Sequence, residues 1–340
     1  MKNEHRTEIA TLGEFGLIDR ICKPFVARNP TTVEGCGDDA AVIDAGDRYL
    51  LLSTDLMLEG VDFDLTYFPL QHLGYKSVVR GISDILAMNG TPRQIMLSLG
   101  ISSRFSVEMI DAFYEGVRAA CERYGTDLAG GDTNASINGL TIGITAAGDV
   151  AKDRIAYRSG AQATDLICLT GDLGAAYMGL HLLEREKRAC KGHPAPEPQF
   201  EGHEYILQRQ LRPEARTDIV AALAENGIVP TSMIDLSDGL ASEILHLCKR
   251  SDKGARIYLN RLPIAKETYA MAEELNSDPV VAALNGGDDH ELLFTVPLSK
   301  QDEIFGMGID VIGHITEAGT GARLITPDGQ EIAIRAQGWK

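Results

Sequence analysis

Tyr49-Leu50-Leu51-Leu52-Ser53-Thr54-Asp55 joins an unbroken apolar run to two hydroxyls and a carboxylate. The run suits a buried strand, and its polar end points to a site. The same arrangement recurs at Gly37-Asp38-Asp39, Ser83-Asp84, Gly130-Gly131-Asp132-Thr133, Asp235-Leu236-Ser237-Asp238-Gly239 and Gly286-Gly287-Asp288-Asp289. Six tight, aspartate-bearing turns are therefore predicted, each after a short apolar segment. Any one of them is ordinary turn chemistry, because Asp bonds nearby backbone and Gly accepts positive φ. Six together point to function. Carboxylates that converge repel by about 4 kcal/mol per pair at ~4 Å and an effective dielectric near 20, so they protonate or bind cations. Hard oxygen ligands beside hydroxyls suit Mg²⁺, which commonly accompanies a substrate's phosphates. The residues predict a magnesium-dependent phosphoryl-transfer enzyme.

Outward from that strand the pattern alternates. Residues 71–88 read as a helix with Val78, Ile82, Ile85 and Leu86 on one face, stopped by Asn89-Gly90 and Pro92. Lys76, Arg80 and Asp84 fall at i, i+4 and i+8, so one helical stripe carries both signs of charge. A strand at 94–101, a helix at 106–124 closed by Gly125, a strand into Gly130-Gly131-Asp132 and a strand with Leu140, Ile142 and Ile144 complete the first half. The polar join at 151–154 separates a domain of residues 1–150 from one of 151–340. The second half predicts strands at 165–170, 232–234, 255–259 and 291–296, and helices at 175–189, 214–225, about 240–250 and 266–275. Its segment 190–203, rich in Pro, Gly and charge, reads as a mobile loop. Both halves are α/β with mixed sheets.

The 340 residues allow two cores, and an apolar fraction of 44% with 24% charged is ordinary for a soluble globular chain. Forty-nine acidic against 32 basic side chains give a net charge of −17, which opposes nucleic acid or anionic membrane as a partner. Cys22, Cys36, Cys121, Cys168, Cys190 and Cys248 are scattered without a Cys-x-x-Cys pair, so neither a zinc site nor a disulfide frame is expected. The polar start lacks a signal peptide's apolar core, and no apolar run approaches the ~20 residues of a membrane span. A cytoplasmic, soluble protein is expected.

Other motifs carry less. Gly171-Asp172-Leu173-Gly174 suits a phosphate at a helix N-terminus but lacks the Gly-Lys-Ser/Thr of a P-loop, and a tight structural turn is the stronger reading. His72, His181 and His246 have no ligand partner at i+4, whereas His290 follows Asp288-Asp289. No Ser/His/Asp or Cys/His set stands out, and an acidic turn beside Cys36 disfavours its thiolate.

In this order the motifs resemble the thiamine-monophosphate kinase family, within the aminoimidazole ribonucleotide synthetase-like superfamily. The resemblance runs from Gly13-Glu14-Phe15-Gly16-Leu17-Ile18 through Gly37-Asp38-Asp39-Ala40-Ala41-Val42, Ser53-Thr54-Asp55-Leu56-Met57-Leu58-Glu59-Gly60 and Ser83-Asp84-Ile85-Leu86-Ala87-Met88. It continues through Gly130-Gly131-Asp132-Thr133 and Arg158-Ser159-Gly160-Ala161 to Asp235-Leu236-Ser237-Asp238-Gly239-Leu240. It implies a two-domain fold with N-terminal sheets paired across a homodimer and ATP between the domains. By position it implies Mg²⁺ ligands at Asp39, Ser53, Thr54, Asp55, Asp84, Asp132, Asp235 and Asp238, with Asp132 and Asp238 central to the chemistry. It implies ATP contacts at Tyr114, Gly131, Asp132, Arg158 and Ser237, and thiamine monophosphate contacts at Asp62, Asp288 and Trp339. Three positions depart from the family pattern: Asp62 stands where His is usual, Gly-Gly-Glu-Asp-Tyr-Glu reads Gly286-Gly287-Asp288-Asp289-His290-Glu291, and the chain ends at Gly338-Trp339-Lys340.

The resemblance implies γ-phosphoryl transfer from ATP to thiamine monophosphate. An acceptor that is already ionised needs no general base, and several Mg²⁺ ions answer the repulsion between two anions. Two alternatives stay open at this point. One is another ATP-dependent member of the superfamily, making aminoimidazole ribonucleotide or selenophosphate or maturing hydrogenase. Selenophosphate synthesis wants a reactive N-terminal Cys or selenocysteine and hydrogenase maturation a C-terminal Cys. The other is a non-enzymatic acidic metal- or nucleotide-binding module, although the EF-hand spacing is missing.

Overall fold

The structure is a computed structural model that describes residues 8–191 and 197–336 of the chain. Trp339 and the centre of the predicted loop at 190–203 lie outside the described residues.

Two mixed sheets form the frame. The first contains β1 (Thr32–Glu34), β2 (Ala41–Asp44), β3 (Arg48–Leu58), β4 (Thr91–Ile101), β5 (Asp127–Ala135) and β6 (Leu140–Ala151), in the order β1-β2-β3-β6-β4-β5. Only its β4–β5 pair is parallel. The second contains β7 (Leu166–Leu169), β8 (Ser232–Asp235), β9 (Gly254–Tyr258), β10 (Leu292–Val296), β11 (Asp310–Thr316), β12 (Ala322–Ile325) and β13 (Glu331–Ala333), in the order β13-β12-β9-β11-β7-β10-β8. Its one parallel pair is β9–β12.

Period-two patterning decides which face of the first sheet is covered. Leu140, Ile142, Ile144 and Ala146 of β6 are buried, as are Ile95, Leu97 and Leu99 of β4 and Leu51 and Met57 of β3. Intervening Leu56, Leu58 and Met96 stand exposed on the opposite face. The covered face packs on a helix that follows α1 (Gly13–Cys22), namely α2 (Leu70–Ala87), which also meets β8 of the second sheet and the adjacent α3 (Val107–Tyr124). Sequence periodicity gave this helix one apolar face. It is in fact buried almost all round, with Leu73, Tyr75, Val79 and even Lys76 inside, because both sheets close on it. Beyond it run α4 (Ala175–Cys190), α5 (Glu204–Leu211), α6 (Thr217–Glu225) and α7 (Leu240–Ser251).

The helix at 106–124 takes the predicted form, with the Ser106 hydroxyl accepting from the Met109 N–H at 3.3 Å and Gly125 closing it at φ 64°. Three of the six predicted turns are not turns. Ser53-Thr54-Asp55 lies inside β3, Gly130-Gly131-Asp132-Thr133 inside β5 and Ser83-Asp84 inside α2. Strand β3 pairs with β6 without a break through Ser53-Thr54-Asp55, and β5 pairs with β4 through Gly130–Thr133, just past a register shift between Leu128 and Gly130. Tertiary pairing overrides the local turn preference of Gly, Asp and Ser. Strand β4 also starts earlier than predicted, through Pro92, where the ladder shifts register because proline offers no N–H.

Helices α2 and α3 touch backbone to backbone. A Cβ on Gly116 would lie 1.8 Å from the Gln71 carbonyl oxygen, and one on Gly74 2.0 Å from that of Phe113. Replacing either glycine by alanine forces the helices apart. Gly116→Ala is expected to lower the unfolding free energy by about 2 kcal/mol, read from the midpoint of a urea transition at unchanged slope.

Candidate active site

Three elements deliver one carboxylate each to a common point. Asp39 comes from the bend before β2, Asp84 from the last turns of α2 and Asp235 from the end of β8, and an oxygen of each lies within 4.8 Å of the others. The Ser83 hydroxyl donates to Asp235 Oδ2 at 2.5 Å, and Arg158 Nη2 donates to Asp39 Oδ1 at 2.6 Å. The Arg158 main-chain N–H is held by the neighbouring Asp38 carboxylate at 3.1 Å.

Burial, and then the charges of Asp55, Asp235 and Asp39, push the Asp84 carboxyl well above its ordinary range. Burial and then Asp39 push Asp235 up to about 7. Asp39 is also raised by burial, although Arg158 opposes the shift. Asp39 Oδ2 and Asp55 Oδ2 are buried with no hydrogen-bond partner among the described residues. Buried carboxylate oxygens left over in this way fit a hard divalent cation such as Mg²⁺.

Asp84 and Asp235 of the cluster line a cleft of about 630 Å³ bounded by α2, the 60–67 segment, α4 and the turns at 235–238 and 286–290. Asp55, Asp62, Asp84, Asp235, Ser237, Asp238 and Asp288, all named from the sequence, line it. Of the α2 stripe, Arg80 and Asp84 line it, and the buried Lys76 reaches it through Asp288. Lys76 Nζ is buried and donates to Asp288 Oδ2 at 3.0 Å and to the Gln210 carbonyl at 2.9 Å. Arg80 donates from Nε to Asp55 Oδ1 at 3.2 Å and from Nη1 to Asp62 Oδ1 at 3.0 Å.

Burial works against ionisation of Asp288, but the buried Lys76 ammonium and the Arg80 guanidinium outweigh it and hold the carboxyl at about 2. His290 is buried, its pKa driven down to about 3 chiefly by desolvation, and neither ring nitrogen has a hydrogen-bond partner among the described residues. Asp288 and His290 sit at φ 60° and 52°, left-handed conformations rare outside glycine and asparagine. The turn therefore fixes the Asp288 carboxylate against Lys76.

Other sequence-named residues are placed elsewhere. The Ser53 hydroxyl donates to the Gly81 carbonyl beneath α2 at 3.2 Å. The Thr54 side chain is on the opposite face of β3, 3.2 Å from Thr145 Oγ1. Tyr114 lies on α3, its ring edge-on to Phe113, and does not line the cleft. Gly131 and Asp132 are exposed on β5, the edge strand. Asp132 occupies the row of Ser98, Gly143 and Leu56, three strands or about 14 Å across from β3. Within one chain they do not join the carboxylate cluster. The Gly171-Asp172-Leu173-Gly174 turn is occupied internally: the Gly174 N–H donates to Asp289 Oδ2 at 3.0 Å, and Arg209 Nη2 donates to the Asp172 carbonyl at 2.9 Å. Roles in the cleft for Lys76, Arg80 and Lys187 were not assigned from the sequence, although the i, i+4 stripe held the signal for the first two.

The AIR synthase related protein N-terminal domain family matches residues 37–150. The thiamine-monophosphate kinase of Aquifex aeolicus strain VF5 is 33% identical over 330 residues, covering 97% of this chain and 98% of that one. The chain belongs to the thiamine-monophosphate kinase family. A solved structure described as AaThiL complexed with AMPPCP and TMP superimposes with TM-score 0.85 at 32% identity, covering 99% of each chain. Hydrogenase maturation protein HypE in complex with ATP reaches TM-score 0.65 at 17% identity over 93% of each chain, a likeness of fold alone.

Raised carboxyl pKa values make the folded chain bind more protons than the unfolded one above pH ~4, so stability falls as pH rises towards about 7. In EDTA, the melting temperature is expected to drop between pH 5 and 7.5, and Mg²⁺ to restore about 3 °C or more at the upper end. Asp84→Asn is expected to flatten the drop and abolish the Mg²⁺ response. Thermal melts of both proteins across that range check this.

Proposed function

We propose that this chain transfers the γ-phosphoryl group of ATP to thiamine monophosphate, giving thiamine diphosphate and ADP by direct in-line displacement. The observation that carries the reading is the convergence of Asp39, Asp84 and Asp235, the last two of which line a cleft that Asp62 and Asp288 also line. The names of its relatives, and a neighbour solved with AMPPCP and TMP, support it.

Asp39, Asp84 and Asp235, with Asp55 and Asp238 beside them, would hold Mg²⁺ ions. Bound there, Mg²⁺ supplies charge neutralisation and alignment for the phosphate oxygens of donor and acceptor. The chain's own residues do the rest. Arg158 orients Asp39 and opposes the upward shift that burial imposes on it. Ser83 fixes the Asp235 rotamer. Asp288, held anionic by Lys76, offers a fixed negative charge to the cationic thiazolium of the acceptor. No side chain needs to act as a general base, because the acceptor phosphate is already ionised; His290, buried and neutral, fits that requirement. The reading places the enzyme in the cytoplasm.

A homodimer completes it. The open face of the first sheet exposes Leu56, Leu58 and Met96, an apolar surface suited to a second copy. Gly131 and Asp132, far from the cluster of their own chain, would then serve ATP at the partner's site.

With ATP, Mg²⁺ and thiamine monophosphate, mass spectrometry is expected to identify thiamine diphosphate. Asp238→Asn is expected to reduce turnover about a hundredfold or more, with unchanged circular dichroism. Mixing Asp132→Asn with Asp238→Asn subunits is expected to recover about a quarter of wild-type activity, since half the dimers then hold one intact site of two. No recovery on mixing, with exchange verified, would place Asp132 in its own chain's site.

A further inference from the structure

We infer that Arg80 is the residue that receives the phosphate of the acceptor, and that Asp62 positions Arg80 instead of touching the acceptor. The inference rests on the kinase reading and names a contact within it. Both Asp62 oxygens are already engaged: Oδ1 accepts from Arg80 Nη1 at 3.0 Å and Oδ2 from the Leu58 main-chain N–H at 2.8 Å. A carboxylate saturated in this way is an anchor, and it also adds negative charge where an anionic substrate must sit.

The cations near the cleft differ in what they have left to give. Lys76 is buried and consumed by Asp288 and Gln210. His290 is neutral. Arg158 is bound to Asp39 and does not line the cleft. Lys187 lines it but is drawn to Asp64 at 2.6 Å and lies near Glu184. Arg80 lines the cleft, keeps 27% of its side chain exposed, and has no partner for Nη2 among the described residues. Its guanidinium is pinned at two corners, by Asp55 on the cluster side and Asp62 on the acceptor side. The free corner is thus pre-oriented between them. A planar fork held in this way suits a phosphate oxygen better than a mobile ammonium does. One helical turn separates Arg80 from Asp84, so a phosphate on Arg80 lies beside the carboxylate cluster.

The test is equilibrium binding of thiamine monophosphate and of thiamine, without ATP or Mg²⁺, to wild type, Arg80→Gln, Arg80→Lys and Asp62→Asn, each checked by its melting temperature. Arg80→Gln is expected to weaken thiamine monophosphate about 30-fold and to leave thiamine within about twofold. Arg80→Lys is expected to fall between, which keeps the test open should the glutamine variant not fold. Asp62→Asn is expected to weaken the phosphorylated ligand alone. Equal loss of both ligands in Arg80→Gln, or no loss of either, overturns the assignment in favour of a brace for Asp55. Equal loss of both in Asp62→Asn returns that carboxylate to the acceptor. A wild-type protein that forms no thiamine diphosphate sinks the kinase reading instead, and the two failures are thereby told apart.

Discussion

Everything at the site depends on a helix enclosed by two sheets. Helix α2 packs on the first sheet, on β8 of the second and, through Gly74 and Gly116, on the backbone of α3. Enclosure leaves it no freedom to rotate or slide, and burial of its apolar residues drives the packing. The charged stripe Lys76-Arg80-Asp84 brings Arg80 and Asp84 to the cleft and sets Lys76 behind Asp288. Positive charge that would be expensive to bury anywhere else is tolerated there because Lys76 and Arg80 meet carboxylates from other segments. Asp288, Asp55 and Asp62 answer the cations. Asp84 has no ion-pair partner among the described residues; three like charges crowd it and the more distant Arg158 only partly opposes them.

That imbalance gives the site its chemical character. Arg158 relieves Asp39 and Ser83 relieves one oxygen of Asp235, but Asp84 and the spare oxygens of Asp39 and Asp55 have no hydrogen-bond partner among the described residues. A fold stores such unfavourable electrostatics where a ligand will relieve them. Asp288 is arranged in the opposite sense, held ionised by a buried lysine. The cleft thus grades from a cation-seeking acid cluster to a fixed anion, with a guanidinium between.

Much of this was legible in the sequence because periodicity and composition report on burial and charge. The helix at 106–124, capped by Ser106 and Gly125, and the stripe on α2 follow from local spacing. Recurrent aspartates correctly foretold an acid cluster, with Asp39, Asp84 and Asp235 meeting although nearly two hundred residues separate the first from the last. Local rules failed where tertiary pairing dominates. Asp132 reads as a turn residue, yet it is in an extended edge strand, and Thr54 reads as a partner of Asp55, yet alternation sends its hydroxyl to the other face. The strands after residue 309 escaped the reading; β12 and β13, of four and three residues, are too short to show a period. The ties of Asp62 and Lys76 were invisible too, since pairing partners far apart in the chain leave no mark in either neighbourhood.

Strand β3 serves two masters. Its inward residues Ser53, Asp55 and Met57 build the cleft and core, while Thr54, Leu56 and Leu58 face outward from the same backbone. A shift of one residue in its pairing with β6 would exchange the two sets wholesale. Insertions or deletions in this strand therefore have no mild outcome: they would strip a carboxylate from the interior and plant an aliphatic side chain in its stead. Evolution of the outer surface must proceed by substitution alone, leaving the strand's length untouched.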